Sequence, residues 1–287
     1  MYTLDQLHAF VSVCECGSIS AAARKLGKAQ SGVSLSIANL EIELNQTLFD
    51  RSQNAVTLTG NGKALLPMAQ GLLKELRYFE QKAEALGKGE EDRLVIALED
   101  TLWDDDLMVV LTGLSQRFPH TNIELLLAHT AEIVPLLERG EIHIGLMYER
   151  HLPTVLSAKI LGQQRFVTVA SPAHPLSSLS EAAPAELARY HQITHKNADT
   201  PVISPQHWQV NSYYVMMDLV HHGVGWATLP EHLLADEHFP VELTRLNTTR
   251  TLSPPPFNIA LVTALNHQAG RVTEYLAEGL AEIFGKR

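Results

Sequence analysis

One short predicted helix begins with amide and hydroxyl side chains, which can hydrogen-bond to the edges of DNA bases. Apolar residues at intervals of three and four predict that the buried face of this helix consists of Val33, Ile37, Leu40 and Leu44. The residues left on the opposite face, near the helix start, are Gln30, Ser31, Ser34 and Leu35. In a helix-turn-helix, residues at these positions enter the major groove. The spacing therefore indicates a DNA-reading face.

Two flanking features would position this helix. Residues 21–23 are alanines, which let a second helix approach closely, and Gly27 can adopt the left-handed conformation that ends a helix. Farther along, residues 48–51 and 56–58 form short apolar runs on either side of a polar tip, a pattern typical of a β-hairpin. Residues 1–62 are therefore predicted to form a winged helix-turn-helix.

This block resembles the N-terminal domain of the LysR-type transcriptional regulators. The shared features are an alanine pair, a glutamine-led recognition helix, a Leu-Phe-x-Arg strand and a Leu-Thr-x-x-Gly exit, in the same order. The resemblance implies promoter DNA as a partner. The DNA-contacting residues that it implies are Ser20, Gln30, Ser31, Ser34, Leu35 and Arg51.

The chain departs from the LysR pattern at three positions in this block. The family usually has a hydroxyl residue where Ala29 stands, and its absence removes an N-cap worth about 1 kcal/mol. Basic residues are common in the family at the positions of Leu35 and Asn54. The DNA sequence preference of the family is therefore not transferable to this chain.

Residues 63–89 are predicted to form a long helix followed by a polar hinge. Apolar residues recur every three or four positions from Leu65 to Leu86, which gives one apolar stripe that the helix cannot bury alone. Pro67 marks either a kink or the start of the helix. In LysR-type proteins this linker helix pairs with a second subunit, so the resemblance implies a homodimer or homotetramer.

The formal net charge of the 287 residues is −10, which by itself argues against a nucleic-acid partner. The acidic excess lies in the C-terminal part, because residues 1–62 have four basic and five acidic side chains and residues 63–89 have five basic and three acidic ones. We expect a weakly basic DNA-binding face with low, salt-sensitive non-specific affinity.

Since no apolar run approaches the roughly 20 residues that span a bilayer, and no secretion signal is present, we expect a cytoplasmic protein without a membrane partner.

Residues 90–287 alternate buried strands with helices, which predicts parallel sheets covered by helices. This part resembles the LysR effector domain, which has two α/β subdomains and is similar to a periplasmic binding protein. The matching segments are residues 136–145, 174–176 and 220–230. The resemblance implies that subdomain I comprises residues 90–162 and 267–287, that subdomain II comprises residues 163–266, and that the chain crosses near residues 162–164 and 264–267. The expected fold is α/β: a winged helix-turn-helix, a linker helix and an effector domain.

Ligands of open α/β sheets bind beyond the carboxyl ends of the strands, where helices begin. The candidate effector-binding residues at such positions are Asp100, Thr101, His129, Thr130, Tyr148, Thr194, His195, Ser212 and Tyr213. A hydroxyl beside free backbone N–H groups suits a small carboxylate, while simple N-capping explains each hydroxyl equally well. Glu99 and Asp100 would repel an anion, so the charge of the effector stays open.

Other functional classes have little support in the sequence. There is no Gly-x-Ser-x-Gly, no P-loop and no His-Glu-x-x-His, so we do not expect an enzyme. Cys14 and Cys16 point in different directions on one predicted helix, and we expect neither a disulfide nor a metal or other cofactor. The alternatives are a small-molecule-binding protein or a hydrolytic enzyme that uses the acidic cleft and His195. RNA polymerase is a further candidate partner of a regulator.

Overall fold

The structure, a computed structural model, describes residues 1–50, 56–149, 151–196, 201–236, 239–248 and 256–285. By its internal contacts the chain divides into two units, Met1–Lys88 and Gly89–Arg287. Each unit has its own hydrophobic core. The division falls within the polar segment at residues 87–89.

The N-terminal unit begins with three short helices and continues through a hairpin into a long helix. Its elements are α1 (Leu4–Cys16), α2 (Ile19–Leu26), α3 (Gln30–Leu44), β1 (Phe49–Asp50), β2 (Thr57–Leu58) and α4 (Gly60–Gly87). Ser18 caps α2 by accepting a hydrogen bond from the backbone N–H of Ala21 at 3.2 Å, and Gly27 ends α2 with a φ of 63°. Ala29 precedes α3 without a side-chain capping hydrogen bond, as predicted.

The core of this unit forms where α1, α2 and α3 pack together. Val33, Ile37 and Leu40 are buried there, as the apolar spacing predicts, and Leu44 is partly buried. Because this stripe faces the core, the opposite side of α3 faces away from it.

The hairpin is held to α3 by a side chain that the sequence analysis does not single out. β1 and β2 are antiparallel, with Phe49 opposite Leu58. The Oε1 atom of Glu41 accepts hydrogen bonds from the backbone N–H groups of Leu48 at 2.8 Å and Phe49 at 3.1 Å. Residues 51–55, which include the predicted DNA contact Arg51, lie outside the described residues.

The long helix α4 begins at Gly60 and is capped by Thr59, whose hydroxyl accepts a hydrogen bond from the N–H of Gly62 at 3.0 Å. Pro67 therefore lies inside the helix and does not mark its start. Ala69 and Leu73 are buried. The large apolar residues of α4 that stay exposed in this chain are Met68, Leu72, Tyr78, Phe79 and Leu86.

The C-terminal unit contains two five-stranded sheets with helices against them. Its strands are β3 (Arg93–Leu98), β4 (Asn122–Leu127), β5 (Ile144–Glu149), β6 (Leu156–Gln164), β7 (Phe166–Ala170), β8 (Gln192–His195), β9 (His207–Val210), β10 (Trp226–Pro230), β11 (Thr244–Arg245) and β12 (Phe257–Ala264). Its α-helices are α5 (Asp105–Arg117), α6 (Thr130–Glu138), α7 (Pro184–Leu187), α8 (Tyr213–His221) and α9 (Arg271–Phe284). Short 3₁₀ helices occupy Asp100–Leu102, Pro175–Ser178 and Glu231–Ala235.

Both sheets are mixed, whereas the sequence predicts parallel sheets. The first has the strand order β4-β3-β5-β12-β6, in which β3 is parallel to β4 and β5, and β12 is antiparallel to β5 and β6. The second has the order β11-β7-β10-β8-β9, in which β8 is parallel to both neighbours and β7 is antiparallel to β10 and β11. The antiparallel strands β7 and β12 are the ones that follow a chain crossing between the subdomains.

The predicted extent of subdomain II is wrong at its C-terminal end. β12 lies between β5 and β6 in the first sheet, so the return crossing falls between β11 and β12 and not at residues 264–267. The sequence is ambiguous here because the apolar run of β12 suits the core of either sheet. The first crossing occurs at Arg165, next to the predicted residues 162–164. The strands β6 and β9 are edge strands with mostly exposed side chains, so they lack the buried apolar runs that predict a strand.

Gly62 and Gly32 allow a matched test of the N-terminal packing. A Cβ atom at Gly62 would collide with the backbone oxygen of Leu48, whereas a Cβ at Gly32 would meet nothing within 4 Å. Gly62→Ala should therefore destabilise the protein by about 1–3 kcal/mol. Gly32→Ala should stabilise it by about 0.5–1 kcal/mol through better helix propensity. Urea unfolding of the full-length chain measures both, and equal stabilities of the two variants would contradict this packing.

Candidate functional site

The exposed side of α3 brings together the residues predicted to read DNA. Gln30 and Ser31 are exposed in its first turn, Leu35 is 61% exposed, and Ser34 is half-buried beside them. Ser20 is half-buried in α2. Within the described residues, the predicted surface is therefore uncharged, and it is polar except at Leu35.

Two of the basic side chains in and next to α2 are paired with acidic ones. Nζ of Lys25 lies 2.7 Å from a carboxylate oxygen of Glu15, and Nζ of Lys28 lies 2.8 Å from one of Asp5. All four side chains are exposed, so these pairs add little stability. They do lower the positive charge beside α3.

In the first subdomain, the strand ends and helix starts are joined by side-chain hydrogen bonds. The hydroxyl and the backbone N–H of Thr130 both donate to Oε2 of Glu99 at 2.6 Å. The Thr130 hydroxyl also accepts a hydrogen bond from the backbone N–H of Tyr148 at 3.1 Å. The hydroxyl oxygens of Thr101 and Tyr148 are 2.9 Å apart. These bonds favour a structural role for the Thr130 hydroxyl, but not the N-capping that the sequence raises as the alternative, because His129 is the N-cap of α6.

Three predicted residues from both subdomains form a stack of rings. The rings of His129 and His195 are nearly parallel, with centroids 4.4 Å apart. The rings of His195 and Tyr213 are also nearly parallel, with centroids 4.7 Å apart. His129 precedes α6 in the first subdomain, whereas His195 ends β8 and Tyr213 starts α8 in the second. The stack therefore joins the strand ends of the two subdomains.

The buried carboxyl group of Glu99 lies beside this stack and is not among the predicted site residues. Its side chain is fully buried, and burial raises the pKa of Glu99 to about 7, against the lowering effect of the Thr130 hydrogen bonds. Oε1 of Glu99 has no hydrogen-bond partner among the described residues and lies 3.9 Å from Nε2 of His129. The feature of the sequence that points to Glu99 is an acidic residue placed directly after the apolar run of a buried strand.

Burial also shifts the pKa of two neighbouring site residues. Asp100 is half-buried, and burial raises the pKa of its carboxyl group. Burial lowers the pKa of His195, while a backbone hydrogen bond with Asn211 and the charge of Asp100 act in the opposite direction. A neutral imidazole is therefore favoured in the ring stack.

The remaining predicted residues are less directly connected to the stack. The hydroxyl of Thr194 donates to the backbone oxygen of Trp208 at 3.3 Å within the second sheet. Ser212 precedes α8 and its side chain makes no capping hydrogen bond. His232, which sequence reasoning missed, lies with Nε2 2.6 Å from the backbone oxygen of Thr101 and so links the two subdomains.

A cavity of about 480 Å³ lies next to this link. It is lined by Trp103, Asp104, Asp105, Asp106, Tyr214, His232, Leu233, Ala235, Asp236 and Phe239. Burial and the carboxyl group of Asp236 raise the pKa of Tyr214 to about 12, so its phenol stays protonated. The cavity is acidic and has aromatic walls.

No group of three or more His, Cys, Asp or Glu side chains is arranged to hold a metal ion within the described ranges of the chain. None of the helices in the same ranges is both long and apolar enough to cross a membrane.

Two family models match the sequence. The model described as bacterial regulatory helix-turn-helix protein, lysR family, matches residues 4–63. The model described as LysR substrate binding domain matches residues 87–283. The second match alone spans more than half of the chain.

Individual proteins show the same similarity along the chain. HTH-type transcriptional regulator AceR of Acinetobacter baumannii is 32% identical over 238 residues, which are 81% of this chain and 80% of the relative. The structure of CbnR, a LysR family transcriptional regulator, has a TM-score of 0.60 at 19% identity and covers 97% of this chain and 99% of its own. A mutant of Corynebacterium glutamicum OxyR has a TM-score of 0.64 at 22% identity and covers 100% of this chain and 94% of its own. At these identities the two structures show the fold alone.

Glu99→Gln should change how stability depends on pH. The folded protein keeps the Glu99 proton up to a pH of about 7, whereas the unfolded chain releases it near the ordinary pKa of 4.5. The wild-type protein therefore loses stability as the pH rises through this window, by on the order of 2–3 kcal/mol, and the glutamine variant does not. Unfolding free energies of both proteins at about pH 5 and about pH 8 test this. An equal loss in both proteins would show that Glu99 does not titrate there.

Proposed function

Because the chain belongs to the LysR family of transcriptional regulators, we propose that α3 reads promoter DNA and that an effector binds where the two C-terminal subdomains meet. The chain is a LysR-type regulator with an effector-binding domain. The main support for this location of the effector site is the ring stack of His129, His195 and Tyr213. A ligand that contacts this stack touches both subdomains at once.

The start of α3 supports a role in DNA recognition. Gln30 and Ser31 are exposed there, and their amide and hydroxyl groups suit base edges. Ala29 offers no side-chain acceptor to the first turn, so the backbone N–H groups at this end of the helix suit a phosphate oxygen. CbnR, which has a similar fold, has been solved in complex with its target DNA.

Gln30→Ala should reduce the sequence preference of DNA binding. We expect a loss of about 1–3 kcal/mol against the cognate site and little change against unrelated DNA, because the amide contacts bases and not phosphates. Gln116→Ala is the matched control, since Gln116 is exposed on α5 in the other unit. Mobility shifts with a fragment selected from genomic DNA measure both. Equal binding by wild type and Gln30→Ala would place the base contacts elsewhere.

The effector site is supported by the convergence of predicted residues from both subdomains. Thr101, His129 and Tyr148 lie at the strand ends of the first subdomain, and His195 and Tyr213 lie at those of the second. Contacts across this junction change when the subdomains move, so a ligand that prefers one arrangement shifts the population toward it. Such a shift would transmit effector binding to the DNA-binding unit.

His195→Ala should make the DNA response less sensitive to the effector. The imidazole of His195 contacts His129 on one side and Tyr213 on the other, and each ring contact is worth about 0.5–1.5 kcal/mol. We expect the effector concentration for half-maximal response to rise about tenfold, with DNA affinity unchanged in the absence of effector. A thermal-shift screen of metabolites supplies the effector, and His207→Ala, at an exposed histidine on β9, is the control. A wild-type response in His195→Ala would remove the stack from the mechanism.

The exposed apolar residues of α4 support assembly. Met68, Leu72 and Phe79 are each more than half exposed in the single chain, and a second copy of α4 would cover them. We propose a homodimer formed through α4 as the unit of a homotetramer.

RNA polymerase is a candidate partner on the basis of the regulator role alone. AceR is a transcriptional regulator by name, and we propose a non-enzymatic role for this chain too, in the cytoplasm where promoter DNA lies.

A further inference from the structure

We propose that the effector carries a protonated amine and that this ammonium group donates a hydrogen bond to Oε1 of Glu99. The proposal rests on the effector-binding role given above and adds the chemical class of the ligand. It concerns the junction of Glu99, His129 and Thr130 at the edge of the first sheet.

The two carboxylate oxygens of Glu99 have different surroundings. Oε2 accepts two hydrogen bonds from Thr130, both at 2.6 Å. Oε1 is buried without a hydrogen-bond partner in the described part of the chain, and His129 at 3.9 Å is too distant to be one. A buried acceptor left without a donor is costly, so a donor supplied by a ligand relieves that cost.

The charges around Glu99 favour a cation over an anion. The titratable groups that surround Glu99 and its neighbour Asp100 are Glu132, His129, His195, Tyr148 and Tyr214. Among the described residues, no Lys or Arg forms an ion pair with either carboxyl group. A carboxylate ligand would meet like charges here, whereas an ammonium group would meet opposite ones.

The surroundings suit an organic cation better than a metal ion. Within the described ranges, no three His, Cys, Asp or Glu side chains are placed to share a metal. The ring stack of His129, His195 and Tyr213 instead offers π faces and apolar surface. Such surfaces attract the organic part of an amine as well as its charge.

An amine bound at Oε1 would lie close to His129. Nε2 of His129 is 3.9 Å from Oε1, and the same imidazole stacks on the ring of His195. An ammonium group that donates to Oε1 would therefore press on this imidazole and change its stacking on His195. Binding at Glu99 would thus alter a contact between the two subdomains.

Calorimetry with full-length protein and three probes of similar shape tests the ligand class. Benzylamine is positive, benzyl alcohol is neutral and benzoate is negative at about pH 8. Wild-type protein should bind benzylamine at least about tenfold more tightly than the alcohol, and benzoate no more tightly than the alcohol. Glu99→Gln should weaken benzylamine binding about tenfold and leave the alcohol unaffected.

Two variants control for charge alone. Glu181→Gln removes one exposed carboxylate of the same unit. Asp106→Asn removes one from the acidic, aromatic cavity described above. Both should bind benzylamine within about twofold of wild type, because the hydrogen-bonding partner is Glu99.

The pH dependence of wild-type binding gives a second readout that needs no variant. Burial raises the pKa of Glu99 to about 7, so the carboxylate that attracts the amine forms between about pH 6 and pH 8. Benzylamine stays protonated over this range. The affinity of wild-type protein for benzylamine should rise up to about tenfold with pH, whereas its affinity for benzyl alcohol should stay constant. A folded Glu99→Gln variant should show no rise for benzylamine.

Several results would overturn the proposal. These are no benzylamine binding by the wild-type protein, equal binding by wild type and folded Glu99→Gln, or loss of binding in Asp106→Asn, which would place the amine in the cavity. Tighter binding of benzoate than of benzylamine would also overturn it. If His195→Ala then weakened benzoate binding, the effector site would stand and only the ligand class would be wrong.

Discussion

Glu99 connects three elements of the first subdomain at the end of β3. Its backbone N–H donates to the carbonyl of Leu146 in β5 at 2.9 Å, its carbonyl accepts from the N–H of Leu102 at 2.9 Å, and its carboxylate accepts both hydrogen bonds of Thr130 at the start of α6. Thr130 in turn accepts from the N–H of Tyr148. The candidate site residues on these elements therefore share one buried anchor. A buried carboxyl group is costly, so packing alone does not explain its presence.

The same strand ends also carry the contacts between the two subdomains. His232 of the second subdomain hydrogen-bonds to the backbone of Thr101, and His195 stacks between His129 and Tyr213. A ligand changes the arrangement of two bodies only if it interacts differently with their two states. The Glu99 anchor and the inter-subdomain contacts lie at the same junction. A ligand bound there can therefore interact differently with two arrangements of the subdomains. If the effector binds at this junction as proposed, recognition and movement are coupled there without a long pathway.

The sequence predicts the parts of this site that depend on local rules. Gly27 ends α2 as predicted because helix ends are set by neighbouring residues, and the strand-end rule selects His195 because parallel strands share a carboxyl edge. Longer-range features escape it. His232, in a short 3₁₀ helix, bonds to Thr101, which is 131 residues away in the sequence. The apolar run of β12 suits either sheet. The unpartnered oxygen of Glu99 depends on how the start of α6 is oriented, which no local pattern encodes.

The charge of the chain places a further constraint on DNA recognition. Lys25 and Lys28 are paired with Glu15 and Asp5, so these two side chains add less counterion release at phosphates than unpaired lysines would. Base contacts and the number of DNA-binding units in one assembly then carry more of the affinity. When two units are joined, the second binds from a high effective concentration, which multiplies a weak individual affinity. If α4 joins them as proposed, its exposed Leu72 contributes to DNA recognition through assembly.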